Sequence, residues 1–310
     1  MTMTTLTPVT CAEELKDSLS LLEGRFAEST IETALGLVSY RSCGSGTGPV
    51  VVLLHGISSG AASWLQCALR LEKDAHVIAW NAPGYGRSTA LPQERPTAAD
   101  YAQQLDAFLQ ALGIIDCVLV GHSLGAMMAA AYAGGGYRRA AKIVLMSPAL
   151  GYGSAARRVR GQQIAQERLD TLRTIGVDGM AQRSPARMLS AQASDAQRAW
   201  VRWNIQWLNP QGYTQAVHLL CGDDLRRYVN IDGVGGDLAH AKPDALAAVY
   251  CGADDVVTTP ADSRALAEDL QIPFRLIDRA GHACYIEQAG AVAAAIRGHF
   301  YQFSQIKTTS

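Results

Sequence analysis

The chain has 310 residues, 48% hydrophobic and 18% charged, the balance of a globular protein with a sizeable core and not of a disordered one. A formal net charge of −1 supplies no electrostatic reason to expect nucleic acid or an anionic membrane as partner. Seven scattered cysteines without a C-x-x-C pair read as free thiols; with no signal-peptide pattern and no bilayer-length apolar run, the expected location is the cytoplasm.

In chain order, a Thr-rich start is followed by helical apolar spacing over 13–22, then short strand-like runs at 31–35, 37–41 and 50–54. The Gly44–Gly48 stretch between the last two predicts a hairpin loop. From there the rhythm is strand, loop, helix: strands at 76–80, 117–120 and 142–146, helices at 98–112 and 126–133. Over 152–241 the strand signal is replaced by a helical, Arg- and Gln-rich stretch interrupted by Pro185 and Pro210. The alternation resumes with strands at 245–251 and 274–277 and helices at 261–270 and 289–303. Such alternation predicts an α/β fold, a mostly parallel sheet with helices on both faces, into which a helical segment is inserted. The expected division is an N-terminal extension at 1–30, an α/β core at 31–150 and 242–310, and a helical cap at 151–241.

Gly121-His122-Ser123-Leu124-Gly125 is a G-x-S-x-G pentapeptide between a predicted buried strand and a predicted helix, the context of a nucleophile elbow carrying Ser123. A serine hydroxyl needs a base to take its proton, and His282, on a loop late in the chain, is the candidate. His55 and His76 sit at strand ends, His218 and His240 in the insertion and His299 on the last helix. His122 is expected to point away through the elbow as a structural residue. The acid that orients the base is sought after the strand at 245–251, where Asp254 and Asp255 stand at a strand's carboxyl end. The order Ser, Asp, His along the chain fits neither the chymotrypsin nor the subtilisin order. For the oxyanion, the candidate donors are the backbone N–H groups of Leu124, next to the serine, and Ile57, in the loop after the strand at 50–54.

These motifs resemble those of the α/β-hydrolase superfamily from about residue 31 to 303. The matching residues are His55-Gly56 after a strand, Asn81-Ala82-Pro83-Gly84-Tyr85-Gly86-Arg87-Ser88, the elbow, Gly252-x-x-Asp255, and Gly281-His282 with Glu287-Gln288 behind it. The resemblance implies an eight-stranded α/β-hydrolase fold with a cap and places the catalytic acid at Asp255. Because the following proline is Pro260, one residue late, Asp254 is the runner-up. Asn81 stands where the family has Asp, in a loop expected to be structural. The loop 55–64 resembles that of aromatic-degradation hydrolases such as 3-oxoadipate enol-lactonases and meta-cleavage-product C–C hydrolases. Ser59-Gly60, His122 and Ala283 depart from the C–C hydrolase pattern of Pro-Gly, Asn and Trp.

The implied activity is hydrolysis of a small carboxylic ester or lactone through an acyl-enzyme. It needs no metal or organic cofactor, acts on a small-molecule substrate and involves neither nucleic acid nor membrane; a monomer or homodimer is expected. The alternatives are a C–C bond hydrolase of aromatic ring-fission products, and a small-molecule receptor or signalling protein on the same scaffold. Trp200, Trp203 and Trp207 share one helical face, either as packing of a lid helix or as an aromatic roof over a substrate pocket. Arg157, Arg158, Arg160, Arg168, Arg173 and Arg202 make the insertion locally basic, either as a solvated face or with one turned inward to a substrate carboxylate.

Overall fold

The computed structural model describes residues 8–44, 46, 48–229 and 245–307. His240 and the end of the expected cap, 230–241, lie outside them. Eight strands form one sheet: β1 (Glu28–Thr33), β2 (Gly36–Cys43), β3 (Val50–Leu54), β4 (His76–Trp80), β5 (Cys117–His122), β6 (Ala140–Met146), β7 (Leu246–Gly252) and β8 (Phe274–Ile277). Their spatial order is β1-β2-β4-β3-β5-β6-β7-β8, antiparallel at β1–β2 and β2–β4 and parallel from β4 onward.

The glycine-rich turn at 44–48 does not close a hairpin, contrary to expectation. β4 lies between β2 and β3, so the connection leads to a strand that β2 does not touch. The hairpin is one step earlier, where Thr33 pairs with Gly36 and its Oγ1 donates to the Gly36 carbonyl at 2.7 Å. β1 begins at Glu28, so residues 28–30 of the expected N-terminal extension belong to the sheet.

The helices are α1 (Pro8–Arg25), α2 (Leu65–Leu71), α3 (Ala98–Ala111), α4 (Leu124–Gly134), α5 (Arg158–Arg183), α6 (Pro185–Met188), α7 (Asp195–Gln206), α8 (Pro210–Gly222), α9 (Arg226–Val229), α10 (Pro260–Leu270), α11 (Cys284–Glu287) and α12 (Ala289–Lys307). β5 touches both α4 and α12; α4 packs with α3, and α12 packs with α2, which gives two helical layers around the sheet. Val51–Leu54 and all of β5 are buried, as strands covered on both faces must be.

Between β6 and β7 the chain runs through α5 to α9. Arg157 and the α5 residues Arg160, Ile164, Arg168, Thr171 and Ile175, at steps of three or four, share one face. Gly176, with φ 63°, breaks the helical geometry within α5. Pro185 and Pro210 each occupy the first position of a helix, where a missing N–H costs nothing. Asp223, at the end of α8, ties this insertion to the core: its Oδ2 accepts from the Ala98 amide at 2.8 Å and from the Tyr228 hydroxyl at 2.6 Å. No described helix is long and apolar enough to cross a membrane.

Candidate active site

Ser123 sits between β5 and α4 at φ 53° and ψ −113°, a left-handed backbone that a non-glycine residue adopts only when its surroundings over-determine it. Those surroundings are visible. The Ser123 amide donates to the Met146 carbonyl at 3.0 Å, and the Ser123 carbonyl accepts from the amides of Ala126 and Ala149 at 3.0 and 3.1 Å. Gly121 and Gly125 permit the turn because a Cβ on the first would run into the Gly125 carbonyl and a Cβ on the second into the Leu54 carbonyl.

His282 and Asp255 meet across the carboxyl ends of the strands. His282 Nδ1 donates to Asp255 Oδ2 at 2.9 Å, and both side chains are buried. Asp255 Oδ1 accepts from the amides of Val257 and Thr258 at 2.8 and 3.0 Å, and the Thr258 hydroxyl lies 3.0 Å from Oδ2. Burial pushes the Asp255 carboxyl upward, but His282 and those two amides outweigh it and hold the group well below the usual carboxylate range. Asp254 is exposed and makes its contact through the backbone, donating to the Ala280 carbonyl at 2.9 Å. Of the two adjacent acids, then, only Asp255 faces His282.

The loop after β3 is fastened by His55. Its Nδ1–H donates to the Gly56 carbonyl at 2.8 Å, and its Nε2 accepts from the Ala82 amide at 3.0 Å. The ring must be neutral to accept, and burial holds it down at about 4. The Ile57 carbonyl accepts from the Tyr85 hydroxyl at 2.8 Å, while its amide has no main-chain acceptor among the described residues. Leu124 opens α4, so its amide lacks an intrahelical acceptor as well.

Ser123, His282, Ile57 and Leu124 line one cavity of about 510 Å³, roofed by α5 and α6. His122 lines it too, contrary to the expectation that its side chain points away; its ring packs against those of His282 and Tyr285. The three tryptophans do not line the cavity. Trp200 and Trp203 stack on each other at 4.9 Å on α7, which packs against α1 and α5, and Trp207 is 69% exposed. Five arginines do line it: Arg157, Arg160, Arg168, Arg183 and Arg187. A larger hollow of about 740 Å³ opens at the opposite strand ends, by Pro49, His76, Asp116 and Arg297. Ligands of open α/β sheets bind outside the carboxyl ends of the strands, which favours the cavity at Ser123. Among the described residues, no cluster of three or more His, Cys, Asp or Glu is placed to hold a metal ion.

Glu287 belongs to the motif behind His282, but the sequence does not say that it braces the His282 loop. Glu287 Oε2 accepts from the Gly281 amide at 2.7 Å, and its Oε1 accepts from the Ser190 amide and hydroxyl at 3.0 and 2.6 Å. Thr258, which touches Asp255, is the residue that sequence reasoning misses; its only sequence signal is its place three residues after that acid.

The model of the alpha/beta hydrolase family matches residues 51–295. A putative carbamate hydrolase, RutD, of Enterobacter cloacae is 36% identical over 80 residues, which are 26% of this chain and 30% of that protein. A 2-hydroxy-6-oxononadienedioate/2-hydroxy-6-oxononatrienedioate hydrolase of Dechloromonas aromatica is 29% identical over 116 residues, 36% of this chain and 40% of that one. The chain therefore spans well under half the length of these two relatives. Among solved structures, an enol-lactonase from Burkholderia xenovorans LB400 superposes with a TM-score of 0.71 at 21% identity, covering 87% of this chain and 98% of its own. A thermophilic esterase from Thermogutta terrifontis gives 0.73 at 22% identity, covering 89% and 98%. These two likenesses concern the fold.

Proposed function

The chain belongs to the alpha/beta hydrolase family, and from that premise we propose that this hydrolase cleaves a small carboxylic ester or lactone through an acyl-enzyme. In this reading Ser123 is the nucleophile, His282 the general base and Asp255 the acid that orients it. The amides of Ile57 and Leu124 form the oxyanion hole, and the insertion between β6 and β7 serves as the cap. The single observation that carries it is the convergence on one cavity of a strained serine and a histidine backed at 2.9 Å by a buried carboxylate.

The chemistry follows from those positions. His282 Nε2 takes the Ser123 proton as Oγ attacks the substrate carbonyl, and negative charge gathers on the carbonyl oxygen, where the two amides stabilise it. Asp255 stabilises the imidazolium through Nδ1–H. His282 then gives its proton to the departing alkoxide, leaving Ser123 acylated. Water, deprotonated by His282, attacks the acyl carbon, and the acid leaves as Ser123 recovers its proton.

The test is labelling by a fluorophosphonate and turnover of a short p-nitrophenyl ester, with Ser123→Ala alongside. Loss of both in the variant is expected; labelling that persists in Ser123→Ala overturns the nucleophile. A second reading, C–C bond hydrolysis of aromatic ring-fission products, is supported by the likeness to the hydrolase of Dechloromonas aromatica named for a diacid. It predicts labelling with turnover of ring-fission products and little of simple esters.

A further inference from the structure

The roof of the cavity has a polarity that ester hydrolysis by itself does not require. A helix face that closes an apolar acyl pocket is expected to be apolar. Here that face presents Arg157, Arg160 and Arg168 among Ile164, Thr171 and Ile175, and Arg183 and Arg187 follow after the break at Gly176. Five guanidinium groups line the cavity against two carboxylates, Glu167 and Asp262.

The arginines differ in what already occupies them. Arg160 pairs with Glu167 at 3.6 Å on the open side, where both side chains are more than half exposed and water screens the pair. Arg157 lies over the Tyr152 ring, 4.9 Å from its centroid. Arg183 and Arg187 are exposed and have no ion-pair partner among the described residues. Arg168 is half-buried, and its Nη1 donates to the Tyr213 hydroxyl at 3.3 Å. It forms no ion pair among the described residues. Tyr213 is itself buried and lines the cavity.

Arg168 lines the same cavity as Ser123, His282 and Ile57. A half-buried guanidinium with spare donors is an incomplete site, since removing such a charge from water is costly unless an anion completes it. One half-buried guanidinium matches a monoanion, and its planar fork matches the two oxygens of a carboxylate.

Resting on the serine-hydrolase reading of this cavity, we infer that the substrate is an acidic ester or lactone whose free carboxylate is bound by Arg168 with Tyr213, the outer arginines drawing the anion in. The inference is tested with two esters of the same acyl length, mono-p-nitrophenyl glutarate and p-nitrophenyl valerate. The expected result is a kcat/KM ratio favouring the acidic ester by about tenfold to a hundredfold, the range for a hydrogen-bonded charge. That ratio collapses toward one in Arg168→Gln and is partly retained in Arg168→Lys. The wild-type ratio is read whether or not a variant folds. Equal rates for the two esters overturn the inference and leave the serine hydrolase standing. If neither ester is turned over, calorimetric binding of mono-p-nitrophenyl glutarate to Ser123→Ala decides. Salt-sensitive binding that is lost on adding Arg168→Gln upholds the carboxylate site while the hydrolytic reading falls; no binding overturns the site.

Discussion

His122 Nε2 donates to the main-chain carbonyl of His282 at 2.8 Å, so the residue before the candidate nucleophile holds the backbone of the candidate base across 160 positions of chain. The rings lie 4.7 Å apart. Burial, then the neighbouring His282, holds His122 down at about 3, which keeps it neutral with its proton on Nε2. His122→Phe keeps an aromatic ring and removes the donor. We expect kcat on a p-nitrophenyl ester to fall by about tenfold to a hundredfold, the scale of a small misplacement of reacting groups, with KM little changed. A kcat equal to the wild type would show that this bond does not position His282.

Asp255→Asn is expected to lower kcat by about four orders of magnitude, because the amide no longer selects the working tautomer of His282. Asp254→Asn, altering an exposed carboxylate, is expected to stay within about twofold of wild type. Steady-state rates of the two variants side by side check this; the reverse pattern would reassign the acid.

Asn81 occurs where the family pattern has Asp, and its contacts explain the exchange. Oδ1 accepts from the Ala61 amide at 2.9 Å, while Nδ2 donates to Glu28 Oε1 at 3.0 Å and to Ser39 Oγ at 2.9 Å. Asp at 81 would set a buried carboxylate against the half-buried Glu28 and remove both donations. Asn81→Asp is therefore expected to destabilise the fold by about 2–3 kcal/mol, and thermal melting of Asn81→Asp/Glu28→Gln should recover part of the loss.

Acid stability should carry the mark of His55. It is neutral and held at about 4 in the fold but titrates near 6.5 in the unfolded chain, so the unfolded state binds more protons between those values. The His55 contribution is thus fully present above about pH 6.5 and declines as the pH falls toward 4, by up to about 3 kcal/mol, and His122, held lower still at about 3, adds to the loss below pH 6.5. The depressed Asp255 acts in a lower window: its contribution is present above the ordinary carboxylate value and is lost only as the pH falls through its folded pKa. Denaturant melts at pH 7 and pH 5 check the first window; an unchanged midpoint would contradict a neutral buried His55.

Glu287→Ala removes the acceptor shared by Gly281 and Ser190, leaving two amides and a hydroxyl unpaired. A loss of about 2–4 kcal/mol is expected. Hydrogen exchange should show the amides of Gly281 and Ser190 losing protection together, whereas independent behaviour would mean that the carboxylate does not bridge the two loops.

Much of this arrangement was legible in the residues themselves. The strand alternation, the G-x-S-x-G turn and the acid at a strand's carboxyl end are local signals, written in periodicity and in the conformational demands of glycine, and local signals survive without coordinates. Ser123, Asp255 and His282 could be nominated because each stands where one strand ends. What the sequence could not decide was pairing across distance. The strand order that seats β4 between β2 and β3 is invisible to a reading that takes neighbours in sequence for neighbours in space. Helical spacing put three tryptophans on one face and several arginines on another segment, but periodicity does not say which face meets the cavity. Packing of α7 against α1 and α5 turned the tryptophans away, and the course of α5 over Ser123 brought Arg168 in. His122 was misread for the same reason: the direction of a side chain at a left-handed turn is set by what surrounds it, here Tyr285, Trp64 and the carbonyl of His282.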